Sequence, residues 1–279
     1  MNQGNSSKLR HASCAALTWA MLAASSSAFA DQSPALDRVS IWLGGYWANT
    51  DTKIGAGDNG GLVYGRFGLE DDLGFPDHKF SPRARLDWLL GDHQGFSFDY
   101  YNINRSETKT LTKDIRFGGN DYLASARVKG KLDFGFGSAA YRWWFGSGQS
   151  VFGVGLGAAY YRLRTGLSGE ASVGGISGQA SSSSDDSAWA PMLQLGWRYA
   201  VSDQFRIYID ASGIKKNGGN LNGHIYNAAL GLEWFPWQNV GLGAEYGYQK
   251  IKLNQRHHDY YDDLNMRVDG PSLFVRFRF

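Results

Sequence analysis

The sequence predicts an all-β protein, a closed antiparallel up-and-down transmembrane β-barrel of about ten strands, within a range of 8 to 12. Three observations support this fold class. Apolar and polar side chains alternate at every second position in ten segments. The connections between these segments alternate between short and long. No run of 18 apolar residues follows residue 30, which excludes transmembrane helices.

The first 30 residues predict a cleavable secretory signal peptide. Its three regions are a basic start at Lys8, Arg10 and His11, an apolar stretch at residues 15–24 and a small-x-small cleavage site at residues 28–30. The apolar stretch is much shorter than the roughly 20 residues of a membrane-spanning helix, which argues against an anchor. We therefore expect one mature domain, residues 31–279, exported beyond the inner membrane.

The mature chain has balanced charge. The full sequence has 28 Lys and Arg against 26 Asp and Glu, and two basic residues fall in the predicted signal, which leaves 26 of each. This balance argues against a nucleic-acid partner, because such binding needs a clustered positive excess. The one cysteine, Cys14, also falls in the signal, so we expect no disulfide in the mature protein.

Four segments show the two-residue period most clearly: 83–90, 96–100, 205–212 and 240–249. In the last of these, the apolar positions are Val240, Leu242, Ala244, Tyr246 and Tyr248, and between them lie Gly241, Gly243, Glu245, Gly247 and Gln249. One face is therefore apolar with aromatic ends, and the other is small or charged, as in a strand between lipid and a lumen. The C-terminal segment alternates in the same way, with Leu273, Val275, Phe277 and Phe279 on one face.

Five weaker segments complete the ten: 39–47, 128–145, 152–160, 189–199 and 226–234. In residues 128–145 the apolar face starts with Val128, Leu132, Phe134 and Phe136 and continues with Tyr141, Trp143 and Phe145, so its parity changes. A β-bulge near residues 135–138 would keep all of these side chains toward lipid, and glycine suits a bulge. We therefore predict a bulge at that point.

The connections fall into two classes. The short ones are residues 91–94, 146–149, 201–203 and 236–238, and the long ones are residues 50–80, 105–124, 164–187, 215–220 and 254–266. An even number of strands places both termini on the side of the short turns, the periplasmic side of such barrels. Residues 61–69 and 115–122 would raise the count to 12 if they entered the wall, but we interpret them as hairpin extensions above the membrane. The Gly- and Ser-rich residues 166–187 are expected to form a mobile loop.

Aromatic residues lie beside the predicted short turns: Trp143, Trp144, Trp197, Tyr199, Trp234 and Trp237. Trp and Tyr favour the headgroup level of a membrane, because the ring is apolar and its N–H or O–H stays hydrated. We therefore predict an aromatic girdle there.

Several of these features together resemble the outer-membrane β-barrel proteins of proteobacteria. They are the signal peptide, the alternation over residues 38–279 and the terminal Phe279 behind Leu273, Val275 and Phe277, and the general look is similar to small OmpA-like or OmpW-like barrels. The resemblance implies a Gram-negative outer membrane, with its lipid and lipopolysaccharide as partners. It also implies that Leu273, Val275, Phe277 and Phe279 are a C-terminal signal for the barrel-assembly machinery. Roles in this class range from wall or host-surface contact to passage of small solutes.

If the apolar faces point to lipid, charged side chains enter the lumen. They are Arg83, Arg85, Asp87, Asp99, Arg127, Lys131, Asp133, Arg142, Arg198, Arg206, Asp210, Glu233, Glu245, Arg276 and Arg278. Barrels of about eight strands are filled by side chains, and open channels need about 16. We therefore predict a lumen plugged by paired charges. The alternative is a narrow porin-like pore that slightly favours anions. Glycines at positions 153, 155, 157, 241, 243 and 247 would leave room for the arginines.

Three weaker hypotheses concern chemistry at the rim. His257, His258 and Asp259, with Glu70, Asp71 and Asp72, are the residue types that omptin proteases use to activate water. The same histidines, with Asp259 and Asp262, could ligate a divalent cation. Residues 223–228 are similar to the His-x-Ser-Asn stretch of lipid A deacylases, but Tyr226 occupies the serine position. No cofactor motif is present, and we expect a non-enzymatic envelope or surface protein, with an extracellular ligand as an open possibility.

Overall fold

The computed structural model describes residues 33–58, 63–117, 120–173, 176–218, 221–256 and 260–279. The predicted signal peptide, residues 1–30, lies outside this range. The described residues form thirteen strands. They are β1 (Val39–Asp58), β2 (Val63–Gly68), β3 (His78–Leu89), β4 (Gln94–Thr110), β5 (Ile115–Phe117), β6 (Asn120–Tyr122), β7 (Arg127–Phe145), β8 (Ser150–Val173), β9 (Ile176–Ala200), β10 (Phe205–Lys216), β11 (Leu221–Trp234), β12 (Val240–Arg256) and β13 (Tyr260–Arg278).

Ten of these strands form a closed antiparallel wall. Each pairs with the next along the chain in the order β1, β3, β4 and β7 to β13, and β13 returns to pair with β1 from Ser40↔Arg278 to Asp58↔Tyr260. The predicted fold class and strand count are therefore confirmed. The remaining three strands are short: β2 pairs with β1, and β5 and β6 form a hairpin that touches β8 at one position. No helix in the described residues is long and apolar enough to cross a membrane.

The wall is much taller than a bilayer at one end. β8 and β9 contain 24 and 25 residues, whereas a tilted strand crosses a membrane in about 9–11. We call the end with the long connections the loop end and the other the turn end. Residues 166–173 and 176–187 lie in these two strands, and their pairing runs without interruption from Gly166↔Ser183 to Val173↔Ile176. These residues are therefore strand rather than the predicted loop, because pairing satisfies their backbone as a continuous ladder.

The two faces of the wall exchange character part of the way along each long strand, and β12 is the clearest example. Near the turn end, Leu242 and Tyr246 are exposed on the outside and Glu245 is buried inside. Toward the loop end, Lys252 is exposed on the outside and Ile251 is buried inside. The pairing of β12 with both neighbours stays in register across this change. The strand therefore has an apolar exterior first and an apolar interior afterwards.

The same exchange occurs on β13. Leu273 is exposed on the outside and its neighbour Ser272 is buried inside. Farther toward the loop end, Arg267 is exposed on the outside and its neighbour Met266 is buried inside. We call the part of the wall with the apolar exterior the membrane half and the rest the loop-end half. An apolar belt on the outside of a closed barrel, with aromatic residues at its edges, is the surface of a membrane-spanning barrel.

The loop-end half has a hydrophobic core of its own. Its interior side chains include Ile54, Ile103, Leu132, Phe134, Tyr161, Leu163, Ile214, Ile225, Ile251, Leu253, Leu264, Met266 and Val268. These residues are buried inside the barrel while the outward positions beside them are polar. Above the membrane, the wall therefore packs like a soluble barrel whose apolar side chains avoid water.

The exchange explains why the predicted bulge in β7 is wrong. β7 pairs with β4 and β8 without a shift of register, from Arg127 to Phe145. Val128, Leu132, Phe134 and Phe136 therefore face the interior rather than lipid, and all four are nearly fully buried. The change of parity in the sequence marks the place where the apolar face moves from the outside of the wall to the inside.

The predicted girdle is present with one correction. Trp143, Trp234 and Trp237 are exposed, and Trp197 stacks on Tyr199 with ring centroids 5.9 Å apart. Trp144 instead points into the barrel and is 7% exposed. Successive side chains of a strand point to opposite faces, so Trp144 lies inside the barrel while its neighbour Trp143 lies outside.

Candidate functional site

Asp210 is the centre of the charged lumen in the membrane half. Its carboxylate accepts hydrogen bonds from three arginines: from Arg198 at 3.0 and 2.8 Å, from Arg142 at 3.3 Å and from Arg85 at 3.2 Å. The three cations come from three different strands, β9, β7 and β3. One carboxylate therefore ties opposite sides of the barrel together through charge-assisted bonds.

A second group lies beside it. Arg83 makes a two-bond contact with Asp99, with distances of 3.0 and 2.6 Å, and a third bond of 2.9 Å to Glu245. The Tyr208 hydroxyl donates to the other oxygen of Glu245 at 2.7 Å. These contacts satisfy both carboxylates of the group from within the barrel.

The third group closes the lumen at the turn end. Asp37, just before β1, accepts hydrogen bonds from Arg206 and Arg276, both at 2.7 Å. Arg276 also donates to Glu233 at 2.6 Å. Ala35 and Leu36 are buried in the same segment, in a small apolar cluster that includes Trp144. The chain therefore folds its own residues 33–38 across the end of the barrel.

Aromatic rings fill the space between these charges. The Trp42 ring lies 4.5 Å from the Arg85 guanidinium and 4.7 Å from that of Arg276, and it stacks on Phe274. Trp144 lies 5.2 Å from both Arg142 and Arg198. Such contacts are favourable when the cation is removed from water. In the sequence, Trp42 and Trp144 appear only as members of alternating segments. Their even-numbered positions were the one signal that could have placed their rings inside the barrel.

The interior glycines provide the room, but for rings rather than for arginines. A Cβ at Gly153 would meet the Trp144 ring at 2.8 Å, and one at Gly243 would meet the Phe274 ring at 2.1 Å. Gly241 has the same relation to Phe235, at 2.6 Å. These three glycines therefore do make room for larger side chains, as predicted. The side chains that use the room are aromatic rings and not the predicted arginines.

The structure places the predicted lumen residues in two groups. Arg83, Arg85, Asp87, Asp99, Arg142, Arg198, Arg206, Asp210, Glu233, Glu245 and Arg276 occupy inward positions, with Arg278 at the turn end. Arg127, Lys131 and Asp133 occupy outward positions on the loop-end half of β7, and this corrects the prediction. The error has the same cause as the predicted bulge, because these residues lie beyond the exchange of faces. Asp37 belongs to the network but precedes the first strand, so alternation could not identify it.

A cavity of about 80 Å³ remains between the charged network and the hydrophobic core. Tyr46, Tyr101, Arg83, Gln194 and Asn227 are among its lining residues. It is large enough for a few water molecules and lined by enough polar groups to hold them.

The first long connection closes the loop end from within. Leu69, Leu73 and Phe75 are buried, and a Cβ at Gly130 on the interior face of β7 would meet the Phe75 ring at 2.8 Å. The segment of residues 69–77, which we call the plug, therefore lies inside the wall. One of its acidic residues, Glu70, forms an ion pair with Arg105, whose side chain has no exposed surface.

The plug is fixed by the hydrogen bonds around this pair. Arg105 also donates to the carbonyl of Pro76 at 2.8 Å, and Glu70 accepts from the backbone N–H of Thr52 at 2.7 Å. Residues of β4, β1 and the plug thus share one buried network. Glu70 is therefore a structural partner of Arg105, which corrects its predicted place among the rim residues for chemistry.

The β5–β6 hairpin packs against β2 and β8 at the loop end. Ile115, Phe117 and Tyr122 are buried, and Phe117 packs edge-on against Phe67 with ring centroids 6.3 Å apart. The Tyr122 hydroxyl donates to the carbonyl of Leu167 on β8 at 3.0 Å. The described parts of the two predicted hairpin extensions are therefore short strands that stay outside the ten-strand wall.

The outer wall carries two groups of basic residues at the level where the faces exchange. On β8, Arg162 and Arg164 both bind Asp185, and the bond from Arg164 is 2.9 Å long. Hydrogen bonds from Arg162, then from Arg164, lower the pKa of Asp185 to about 2. These arginines border an outer groove of about 480 Å³ whose floor includes Gly135 and Gly137.

The second group lies on β10, β11 and β12. Lys215 is opposite His224 in the pairing of β10 with β11, and His224 is opposite Lys252 in the pairing of β11 with β12. Lys250 is the next outward residue of β12. Partial burial and the positive charges of Lys252, Lys215 and Lys250 lower the pKa of His224 below its usual value of 6.5.

The proposed rim chemistry receives little support from these positions. His257, His258 and Asp259 lie outside the described residues. Tyr226 faces outward beside His224, with ring centroids 5.0 Å apart, so the position that a nucleophilic serine would need holds a phenol. Within the described part of the chain, no cluster of three His, Cys, Asp or Glu side chains is arranged to bind a metal.

No family model and no curated protein matches the chain. Among solved structures, the outer membrane protease OmpT of Escherichia coli aligns with a TM-score of 0.53 and 10% identity, over 86% of this chain and 96% of that one. The translocator domain of the autotransporter NalP of Neisseria meningitidis gives 0.44 and 16%, over 97% of both chains. OprG of Pseudomonas aeruginosa gives 0.38 and 11%, over 89% and 100%. At these identities the comparison with OmpT shows the barrel fold alone.

Proposed function

We propose that the protein is a sealed, non-enzymatic β-barrel of a Gram-negative outer membrane that serves envelope structure or surface contact. The turn end faces the periplasm in this proposal, and the loop-end half projects from the cell. The observation that carries it is that chain segments occupy both ends of the lumen, residues 33–38 at one end and the plug at the other. A barrel filled in this way is rigid and presents its tall, polar exterior to the surroundings.

The charged network supports a structural role over a pore. The lumen of the membrane half holds seven arginines (83, 85, 142, 198, 206, 276 and 278) and six carboxylates (37, 87, 99, 210, 233 and 245). Most of them are paired at short distance, so the slight positive excess predicted for an anion pore is largely neutralised. Paired, hydrogen-bonded charges are costly to open, because each broken pair leaves a buried ion.

Conductance in planar bilayers tests this proposal against the narrow pore. The mature chain, residues 31–279, is expected to insert without giving stable conductance steps. Stable ohmic steps with anion preference, altered by Arg85→Gln or Arg198→Gln, would support the pore instead.

A second experiment tests the proposal against a hydrolase at the rim. Peptide and lipid A turnover by the purified barrel are measured. We expect none above background, and turnover lost on His257→Ala would overturn the non-enzymatic proposal.

A further inference from the structure

The outward cations of β10, β11 and β12 form a compact group. We call Lys215, His224, Lys250 and Lys252 the lysine cluster. Lys215, His224 and Lys252 are direct neighbours across the three strands. Side chains directly opposite each other in antiparallel strands have Cβ atoms about 4.5–5.5 Å apart, and like charges in such positions are destabilising. The cluster therefore concentrates positive charge on one part of the outer wall.

The cluster lies at the edge of the apolar belt. Tyr226, opposite Lys250, is 52% exposed on the outside, and Tyr248 is exposed two residues before Lys250 on the same strand. Farther toward the turn end, the outer face shows Ile209 and Leu230, both exposed. Tyr residues at such an edge mark the headgroup level of a membrane. The lysines are thus at headgroup height, with an apolar wall directly beneath them.

The charge of the cluster is not balanced by the protein. Within the described residues, Lys215, Lys250 and Lys252 form no ion pair. The acidic groups on the neighbouring outer face of β13 bind other partners, Asp269 to Arg267 at 3.0 Å and Asp263 to Arg66 at 3.1 Å. Partial burial, and then the positive charges of Lys252, Lys215 and Lys250, lower the pKa of His224. An anion from outside the chain would remove this repulsion.

The basic pair on β8 provides the contrast. Arg162 and Arg164 lie at a similar level of the wall, but both are bound by Asp185. An anion at that position would have to compete with a carboxylate already in place. The two groups therefore differ in free positive charge although both are exposed.

We propose that the lysine cluster binds the phosphate group of a phosphorylated glycolipid in the outer leaflet, with the acyl chains against Ile209 and Leu230. The inference rests on the proposed outer-membrane location and deepens it by naming a lipid partner. Lysine ammonium groups bind phosphate as strong point charges with three donors each. The apolar wall below the cluster favours an amphiphile over a soluble phosphate, because it contacts the chains at the same time.

The test compares two variants that each remove two positive charges from the outer wall. The mature barrel in non-ionic detergent micelles is titrated with bis-phosphorylated lipid A, and native mass spectrometry measures the number bound and the affinity. Lys250→Gln/Lys252→Gln is expected to weaken binding at least about 10-fold, equal to about 1.4 kcal/mol, while Arg162→Gln/Arg164→Gln changes it less than about 2-fold. Heat-modifiable migration on gels confirms that both variants are folded. Equal weakening by the two pairs, or no weakening by the lysine pair, would overturn the inference.

Two further arms identify the ligand chemistry. Lipid A stripped of its phosphates is expected not to bind at the lysine cluster. Inorganic phosphate alone, at the same concentration, is also expected not to bind there. Binding of the stripped lipid with unchanged affinity, or full occupancy by inorganic phosphate, would contradict a phosphorylated lipid. The His224 pKa, followed by NMR, is expected to rise when bis-phosphorylated lipid A binds. Fractionation separates the two proposals: a barrel found in the outer membrane that fails to bind removes only this inference, and absence from that membrane removes both.

Discussion

The membrane half and the loop-end half of the barrel use one continuous wall in opposite ways. In the membrane half, apolar side chains face outward and arginine–carboxylate groups fill the lumen. In the loop-end half, apolar side chains fill the interior and polar side chains cover the outside. The register of the strands does not change between them, so only the surroundings of the wall differ. The position where the two faces exchange character therefore marks the membrane boundary.

The difference also assigns different sources of stability to the two halves. The lumen of the membrane half is held by buried ion pairs, whose rupture leaves unpaired charge. The interior of the loop-end half is held by packing, whose loss leaves a cavity. Substitutions that remove one kind of contact at a time test this difference between the two halves.

The largest effect is expected for Asp210→Asn. Three arginines lose their shared charged partner, so we expect the free energy of unfolding to fall by roughly 3–5 kcal/mol. Denaturant unfolding in micelles measures it. The matched control is Asp133→Asn on the outer wall, where the change should stay within about 0.5 kcal/mol. Equal effects at the two positions would contradict a lumen held by Asp210.

A similar but somewhat smaller loss is expected for Leu132→Ala in the loop-end half. Leu132 has no exposed surface, and truncating a fully buried Leu costs about 2–5 kcal/mol. Leu230→Ala, at a lipid-facing position that is 55% exposed, is the control and should cost clearly less. If both substitutions cost the same, the interior of the loop-end half is not a packed core.

The plug makes a prediction about non-additivity. Arg105→Met alone leaves Glu70 buried without its cation, so the plug should open and become accessible to protease cleavage at residues 69–77. Arg105→Met together with Glu70→Met removes both charges and should restore much of the protection, because an apolar pair can replace a buried ion pair. Limited proteolysis of intact cells or micelles reads the result. Cleavage that is identical in the single and double variants would show that the pair does not hold the plug.

The smallest effects concern the two basic groups of the outer wall. The pKa of Asp185, about 2 because of hydrogen bonds from Arg162 and Arg164, should rise toward 3.8 in Arg162→Gln. Because the folded-state pKa is the lower one, the stabilisation is present above pH 3.8 and is lost as the pH falls through 2. NMR titration of the side-chain carboxyl checks this. An unchanged pKa would mean that Arg162 is not its main partner.

The pKa of His224 should also rise when a basic neighbour is removed. Its pKa is depressed by partial burial and by Lys252, Lys215 and Lys250, so protonation is unfavourable and the folded state loses stability as the pH falls below 6.5. Lys252→Gln should raise the pKa of His224, and Lys53→Gln on β1, which pairs with Asp51, should not. The same NMR titration measures both.

The sequence predicted the wall and the charged lumen of the membrane half, but not the apolar interior of the loop-end half. Alternation identified all ten strands and most of the lumen charges, because a lipid-facing side chain at every second position is visible in one chain. It could not identify the plug, since Glu70 lies in a connection and Arg105 on β4, and the two meet only in three dimensions. It also misassigned Val128 to Phe136, because an apolar face carries no information about which side of the wall it occupies. The polar residues that alternate with them, Arg127, Lys131 and Asp133, indicate an exterior in water. They would have placed the apolar face inside the barrel if the exchange of faces had been expected.

Accessibility along β12 tests the exchange of faces most directly. Nitroxide labels placed one at a time at residues 242 to 254, in barrels reconstituted into liposomes, are measured for collision with oxygen and with a water-soluble nickel chelate. We predict that even positions are accessible throughout but change from oxygen to the chelate between Tyr248 and Lys250, while Ile251 and Leu253 are accessible to neither. Chelate access at positions 251 and 253 would show a water-filled mouth and contradict the account.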